Sequence, residues 1–184
     1  MIPDYDRAAR MAYKSLLSLH ISTLPVDPLM ILHHCRNTAV HAYSEICKSF
    51  GYSSPDEFAF EMMGNMDALT VRRERAGAVQ YEVFFNDRGN YNRRRFTLAH
   101  ELGHIVLKHT QQADYEEREA DYYAAQLLAP HPLVSLLPHD PSVIAETFQL
   151  SHRAAEMALQ PPRHTTEGEL YPLIKIAFTG RLSA

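Results

Sequence analysis

Residues 93–109 of this chain carry two histidines and a glutamate at a spacing that can do chemistry. The segment is RRRFTLAHELGHIVLKH, with His100, Glu101 and His104 inside it. On a helix, His100 and His104 are one turn apart and share a face, so both imidazoles can reach one Zn²⁺ ion. Glu101 lies about 100° around the helix, beside the metal, where it can take a proton from a water that zinc activates. The segment therefore predicts a zinc site able to hydrolyse a peptide bond.

A motif of five residues also occurs by chance in charged amphipathic helices, so the flanking residues matter. Here the polar triplet lies within an apolar helix, and buried His and Glu side chains need partners for their polar atoms. A metal ion supplies such partners. The apolar residues expected to be buried are Phe96, Leu98, Ala99, Leu102, Ile105, Val106 and Leu107.

The third protein ligand separates the classes of zinc peptidase. A site with three histidines requires glycine at 107 and histidine at 110, where this chain has Leu107 and Thr110. His109 would lie about 140° from the ligand face, so we expect it at a solvated helix end. The alternative is a glutamate from the following helix, which is predicted over residues 114–130 and is ended by Pro130.

That second helix contains several acidic residues. Glu117 and Asp121 are four positions apart and share a face. We predict Glu117 as the third ligand and Asp121 as the acceptor for an N–H of a ligand imidazole. Glu116 and Glu119 are expected on a solvated acidic face. Small and apolar residues continue the inward stripe and would allow close approach to the histidine helix: Ala120, Ala124 and Leu128.

Together, RRRFTLAHELGHIVLKH and EREADYYAAQLLAP resemble the ImmA/IrrE family of zinc metallopeptidases. The pattern of that family is approximately R-x-x-F-T-x-A-H-E-x-G-H, then E-x-x-A-[ND]-x-F-A-A-x-L-L-x-P. Both motifs agree in order and spacing. This chain differs at Tyr123, where Phe is usual, and at Ala129, where Met is favoured. Arg95 lies next to Phe96 within the first motif, so we expect it to have a structural partner.

The resemblance implies the same site that the spacing predicts. His100, His104 and Glu117 would be the zinc ligands, and Glu101 would be the general base. It also implies a narrow substrate range, because family members typically cleave one helix-turn-helix repressor in mobile-element or stress regulation. The expected partner is therefore a protein substrate of that kind.

Composition limits the other classes of function. The chain has 184 residues, with 18 basic and 22 acidic side chains and a formal net charge of −4. This length suits one domain with a core, and the charge balance speaks against a dedicated nucleic-acid binder. Neither a membrane-length apolar run nor a signal-peptide pattern is found, and Cys35 and Cys47 give no disulfide framework. We therefore expect a cytoplasmic protein without a membrane association.

The remaining pattern predicts helices around a small sheet. Helices are expected over 4–20, from Asp27-Pro28 to about 35, and from Ser54-Pro55. Strands are expected over 38–43, 68–73 and 78–86, the last with clear alternation. In zincins a sheet edge lies beside the metal and can accept an extended substrate as an added strand. The strand over 78–86 could offer that edge, or it could be an ordinary core strand.

Residues 141–159 have the outline of a helix-turn-helix. Helices over 141–148 and from about 152 to 159 flank a turn at Gln149-Leu150-Ser151. DNA reading by the second helix would depend on His152 and Arg153, opposed by Glu156. Two packed helices that support the catalytic core are favoured. The residues expected to face inward are Ala145, Phe148, Leu150, Ala154 and Met157.

The sequence thus predicts an α+β protein with a zincin-like metallopeptidase core, a small mixed sheet, an active-site helix and a helix-turn-helix-like pair. Residues 1–130 would form the peptidase domain, and residues 131–184 a helical extension packed on it. The predicted function is that of a zinc metalloendopeptidase. One alternative is a DNA-binding regulator that uses residues 141–159. The other is a toxin–antitoxin-associated binding module that keeps zinc and cuts nothing, which the intact Glu101 speaks against.

Overall fold

The structure is a computed structural model that describes residues 1–75, 77–111, 113–166 and 168–179. Within these residues the predicted combination of helices with a small mixed sheet is confirmed. Among the same residues, no helix is both long enough and apolar enough to cross a membrane. The helices are α1 Tyr5–Ser18, α2 Pro28–His34, α3 Tyr43–Ile46, α4 Pro55–Glu61, α5 Tyr91–Leu107, α6 Asp114–Leu128, α7 His131–Val134, α8 Pro141–Phe148, α9 His152–Ala158 and α10 Leu170–Ala177, with a 3₁₀ helix over Cys47–Phe50, and the strands are β1 Thr38–Ala42, β2 Ala68–Arg75 and β3 Ala78–Phe85.

Three helices begin where a short polar residue precedes a proline. Asp27-Pro28, Ser54-Pro55 and Asp140-Pro141 open α2, α4 and α8. In each case the polar side chain accepts a hydrogen bond from a backbone N–H of the first turn, at 3.0, 3.1 and 2.8 Å respectively. Proline then occupies the first helical position, where no intrahelical N–H bond is lost. The starts predicted for these three helices are confirmed.

The three strands form one sheet in the order β1-β3-β2. β1 is parallel to β3, pairing Val40 with Val83, and β2 is antiparallel to β3, pairing Thr70 with Val83. Because β3 is bonded on both sides, it cannot accept a further strand. The prediction that β3 offers an edge to a substrate is therefore wrong, and the core-strand interpretation holds: Val83 is fully buried. Among the residues that the structure describes, the outer strand on the side of α5 is β2.

Helices α5 and α6 pack closely because small residues face each other at their contact. A Cβ atom added to Gly103 would lie 3.2 Å from the Cα atom of Ala120 and 3.1 Å from the ring of Tyr123. Such distances are tighter than ordinary carbon–carbon contacts, so glycine is needed there. The close approach predicted from the alanines of α6 is confirmed, and it brings the histidine face of α5 against the acidic face of α6.

Buried residues of α8, α9 and α10 belong to the same hydrophobic cluster as those of α5 and α6. Arg95 of α5 is 3% exposed, and its guanidinium donates to the backbone carbonyls of Val26, Phe148 and Gln149 at 2.8–3.2 Å. The structural partner expected for Arg95 is thus confirmed as a set of three carbonyls. They tie the start of α5 to the end of α8.

Two apolar residues expected to be buried are exposed. Phe96 is 40% exposed and Met157 is 60% exposed. In α9 the fully buried position is Ala155, so the inward face is rotated from the one predicted through Ala154 and Met157. Both large side chains instead line a groove between α5, α6 and α9.

Candidate metal centre

His100 and His104 lie on one face of α5 and point their outer nitrogens at the same place. The two Nε2 atoms are 2.9 Å apart, and each side chain keeps 18% of its surface exposed. The one-turn spacing of the two residues on a helix produces this arrangement, as the sequence predicts. Partial exposure leaves the pair accessible from solvent.

Glu117 of α6 completes a cluster with these two nitrogens. Its Oε2 atom is 3.3 Å from His100 Nε2, and its Oε1 atom is 3.6 Å from His104 Nε2. One ligand atom from each of the three residues lies within 4.8 Å of the others. The structure therefore brings together the three side chains that the sequence singles out as ligands.

The donor atoms of this cluster fit a zinc ion. Ligands about 2.0–2.1 Å from a tetrahedral zinc lie about 3.3 Å from one another, and the three distances here fall around that value. Two imidazoles and one carboxylate are a ligand set typical of catalytic zinc, which keeps a fourth position open. His100, His104 and Glu117 could thus hold the metal.

The Nδ1 atom of each of the two candidate histidine ligands has a partner as well. His100 Nδ1 is 2.9 Å from Asp121 Oδ1, and His104 Nδ1 is 3.0 Å from His109 Nδ1. Such contacts hold a ring in place and fix which nitrogen is free to bind a metal. The structure places Asp121 where the sequence predicts an acceptor, whereas the partner of His104 is a residue that the sequence assigned to solvent.

The surroundings move the pKa values of the two histidines in opposite directions. Burial opposes the charged form of His100, but its hydrogen bond to Asp121 and the nearby carboxylates raise its pKa overall. Burial and the neighbouring imidazoles of His100 and His109 lower the pKa of His104 to about 4. With a pKa of about 4, His104 is neutral at neutral pH and ready to donate a lone pair, whereas the raised pKa of His100 means that its imidazole holds a proton more strongly than an ordinary histidine does.

Glu101 lies beside the cluster and outside the ligand group. It is 8% exposed, and burial raises the pKa of its carboxyl above the usual range. Thr70 of β2 and the charge of His100 offset only part of that rise. A carboxylate with a raised pKa next to a metal site has the properties of a general base. This is the position that the helical spacing predicts.

The prediction that His109 lies at a solvated helix end is wrong, because its side chain is only 4% exposed. α5 ends at Leu107, and Lys108 adopts a left-handed conformation with φ 56°. The N–H of His109 then bonds the carbonyl of His104 at 3.0 Å, as at many helix ends of this kind. This turn carries the imidazole of His109 back against His104, where a continued helix would have carried it away.

The prediction that Glu116 and Glu119 form a solvated acidic face of α6 is also wrong. Glu116 is 5% exposed and accepts hydrogen bonds from the N–H groups of Thr110 and Gln111. Glu119 is 4% exposed and lies 3.2 Å from His109 Nε2. Buried carboxylates persist when they are hydrogen-bonded, and these two are. Both carboxylates bind residues that follow the end of α5. The helical period does not predict the path of these residues, so the contacts could not be predicted from it.

A groove of about 730 Å³ adjoins the cluster on the side of α9. Asp121, which bonds His100, is one of its lining residues, so the groove and the cluster share a wall. Three arginines, Arg118, Arg153 and Arg163, line it as well. The remaining residues include the exposed apolar side chains Phe96 and Met157. The groove thus combines apolar surface with positive charge.

A protein-family model described as Peptidase M78, IrrE N-terminal-like domain, matches residues 58–160, more than half of the 184 residues. The matched segment contains the histidine cluster, Glu101 and both motif helices. Helix α1 and helix α10 lie outside it. A comparison with curated proteins found no match.

Proposed function

This chain belongs to the Peptidase M78 family of IrrE N-terminal-like domains, and from that premise we propose that it is a zinc endopeptidase acting on a specific protein. One observation carries the proposal: His100, His104 and Glu117 present their donor atoms at the spacing of tetrahedral zinc ligands. The buried Glu101 beside them supplies the base that a binding module would not need.

Each residue has a separate part in the proposed reaction. His100, His104 and Glu117 would hold zinc, which acts as a Lewis acid on the water and on the scissile carbonyl. Glu101 takes the proton of the attacking water and then delivers it to the leaving amine nitrogen. Asp121 keeps His100 in the tautomer whose Nε2 is a lone-pair donor.

The fold we propose is zincin-like, with β2 as the strand that receives the substrate. β2 is an outer strand of the sheet, and it packs against α5, the helix that carries Glu101. An extended peptide paired with this edge would have its backbone beside the general base. The helix pair α8–α9 supports the core in this arrangement, since its buried residues belong to the main cluster.

The proposed substrate is a helix-turn-helix repressor, cleaved in mobile-element or stress regulation within the cytoplasm. Support comes from the resemblance of both motifs to the ImmA/IrrE pattern. The test is to purify the protein, measure zinc per chain by mass spectrometry, and incubate it with the product of the neighbouring gene. We expect about one zinc per chain and cleavage that a chelator stops. Metal-free protein that cleaves at the full rate would refute the zinc mechanism.

Zinc binding should release protons in a way that depends on pH. Below the raised pKa of His100 its imidazole is charged, and the proton has to leave before Nε2 can bind metal. His104, with a pKa of about 4, is already neutral there. Calorimetry in buffers of different ionisation enthalpy should show release approaching about one proton per zinc near pH 6, decreasing as the pH rises. The zinc affinity should weaken correspondingly as the pH falls.

The variant Asp121→Asn is the matched control for this measurement. It removes the negative charge and replaces the carboxylate acceptor by a neutral amide oxygen, so the pKa of His100 should fall and fewer protons should be released at the same pH. Equal heats in all buffers at pH 6 for the native protein would contradict the assignment of His100 as a ligand.

The groove beside the site should select substrates that carry acidic and bulky apolar side chains. Its three arginines would meet acidic residues, and Phe96 and Met157 would meet apolar ones. The double variant Arg153→Glu, Met157→Asp should lower kcat/KM for the protein substrate about tenfold or more, as loss of a central contact usually does. Zinc content and cleavage of a short peptide that spans only the scissile bond should not change.

Phe60 provides the control for that prediction, because it is 68% exposed and is not among the residues that line the groove. Phe60→Asp should leave kcat/KM for the protein substrate unchanged. If both changes reduce cleavage equally, or if neither does, the groove does not select the substrate.

A further inference from the structure

We propose that His109 and Glu119 hold His104 in the orientation that binds zinc, and that they connect this ligand to the N-terminal helix α1. The inference rests on the proposed zinc function of His104. It goes beyond that function, because it assigns positioning residues outside the ligand group. It also gives a part of the chain outside residues 58–160 an effect on the metal.

The contact runs from the ligand outward through two buried side chains. His104 has its Nε2 in the cluster and its Nδ1 at 3.0 Å from His109 Nδ1. His109 Nε2 is 3.2 Å from Glu119 Oε2. The side chains of His109 and Glu119 are 4% and 5% exposed, so little water competes for these atoms. Ring centroids of the two histidines are 5.0 Å apart with nearly perpendicular planes, which aims nitrogen at nitrogen.

One assignment of protons satisfies the hydrogen bonds among His104, His109 and Glu119 when His104 Nε2 is a ligand. His104 then carries its hydrogen on Nδ1 and donates it to the lone pair of His109 Nδ1. His109 carries its own hydrogen on Nε2 and donates it to the Glu119 carboxylate. Zinc-bound imidazoles usually have a carboxylate or a carbonyl as this partner. Here a second imidazole stands between the ligand and the carboxylate.

The carboxylate is in turn fixed by the first turn of α1. Glu119 Oε1 accepts a hydrogen bond from the N–H of Asp4 at 2.9 Å, and Glu119 Oε2 is 3.5 Å from Arg7 Nη1. Arg7 also donates through Nη2 to the carbonyl of Leu107, the last residue of α5. Arg7 thus holds both the helix end that turns His109 inward and the carboxylate that orients it. A change in α1 should therefore reach the metal.

The test measures zinc affinity by competition with a chromophoric chelator, in parallel with the thermal stability of the metal-free protein. His109→Ala should weaken zinc binding about 10–100-fold, as loss of such a partner usually does. His109→Gln should recover most of that affinity, because its amide oxygen can accept from His104 Nδ1 and its amide N–H₂ can donate to Glu119. The d–d absorption of the cobalt-substituted protein should change in His109→Ala and return towards the native spectrum in His109→Gln.

Arg7→Ala tests the connection to α1. The ion pair between Arg7 and Glu119 is partly exposed, so the expected loss of zinc affinity is roughly two- to fivefold. In the background of His109→Ala, the further loss caused by Arg7→Ala should disappear, because the connection is already broken.

His164 supplies the matched control, since it is a buried histidine, 8% exposed, that bonds Tyr13 and Tyr122 away from the cluster. His164→Ala should lower thermal stability and leave zinc affinity unchanged. Native zinc affinity in His109→Ala would overturn the inference, as would equal losses in the Ala and Gln variants. Those results would leave a zinc-binding, substrate-cleaving native protein intact. If the native protein binds no zinc, it is the proposed function that fails.

Discussion

Replacing Glu101 by glutamine should remove peptide cleavage and leave zinc bound. The amide has the shape of the carboxyl group, and Glu101 is not one of the cluster's ligand residues, so the cluster should keep its geometry. The amide cannot take a proton from the attacking water. General-base catalysis is worth about 10²–10⁴ in rate, and a loss of at least that size is expected. Single-turnover cleavage of the protein substrate, with zinc per chain measured on the same sample, checks both parts.

Glu116→Gln is the matched control for this change. Glu116 is also buried near the motif helix, but among the described residues its hydrogen bonds are those from the backbone N–H groups of Thr110 and Gln111. An amide oxygen can still accept at least one of these bonds, so the cleavage rate should stay close to the native value. Native-rate cleavage by Glu101→Gln would show that another group removes the proton. Loss of zinc from that variant would show that Glu101 has a structural part in the cluster.

The part of the site that could be predicted from sequence is the part set by regular helices. His100 and His104 share a face because they are one turn apart, and Asp121 follows Glu117 at the same spacing. Once Gly103 lets α5 and α6 approach, these faces have to meet. Helix starts were predictable for the same reason, since a capping side chain and its N–H partner are only two or three residues apart.

The outer part of the site could not be predicted because it depends on where helices end and on distant contacts. Lys108 adopts a left-handed conformation, which at helix ends is usually found at glycine. Because this position is a lysine, the sequence does not indicate the turn. The helical period alone therefore places His109 off the ligand face. The partner of Glu119 is Arg7, which is 112 positions earlier in the chain. No periodicity in α6 indicates that a cation from α1 lies opposite Glu119.

The sheet could also be predicted only in part from the sequence. Alternation in residues 78–85 correctly predicts a strand with one buried face, but it does not give the order of the strands. β3 lies between β1 and β2 because the first strand of the chain returns to pair in parallel with the third. Strand order depends on the crossover connections, and here it makes β2 the outer strand that packs against α5.

Glu117→Ala should cause a larger loss of zinc affinity than any other change to an acidic residue of α6. It removes a proposed ligand, whereas Asp121→Ala removes only the partner of one and should cost about 10–100-fold. Glu119→Ala should fall in the same range as Asp121→Ala, because it acts through His109. Competition with a chelator of known affinity ranks the three variants.

The thermal stabilities of these variants should follow a different order from their zinc affinities. The loss of a ligand can therefore be distinguished from a general loss of folded structure. The Glu117 side chain is 46% exposed, so its loss should leave the thermal stability of the metal-free protein nearly unchanged. The Glu119 side chain is 5% exposed and satisfies the N–H of Asp4 together with Arg7 and His109, so its loss strands buried groups and should cost about 1–3 kcal/mol. For these two residues, weak zinc binding with native stability is therefore the result expected of the ligand Glu117, and weak binding with lowered stability is the result expected of the support Glu119. If Glu119→Ala binds zinc less well than Glu117→Ala, Glu117 is not the third ligand.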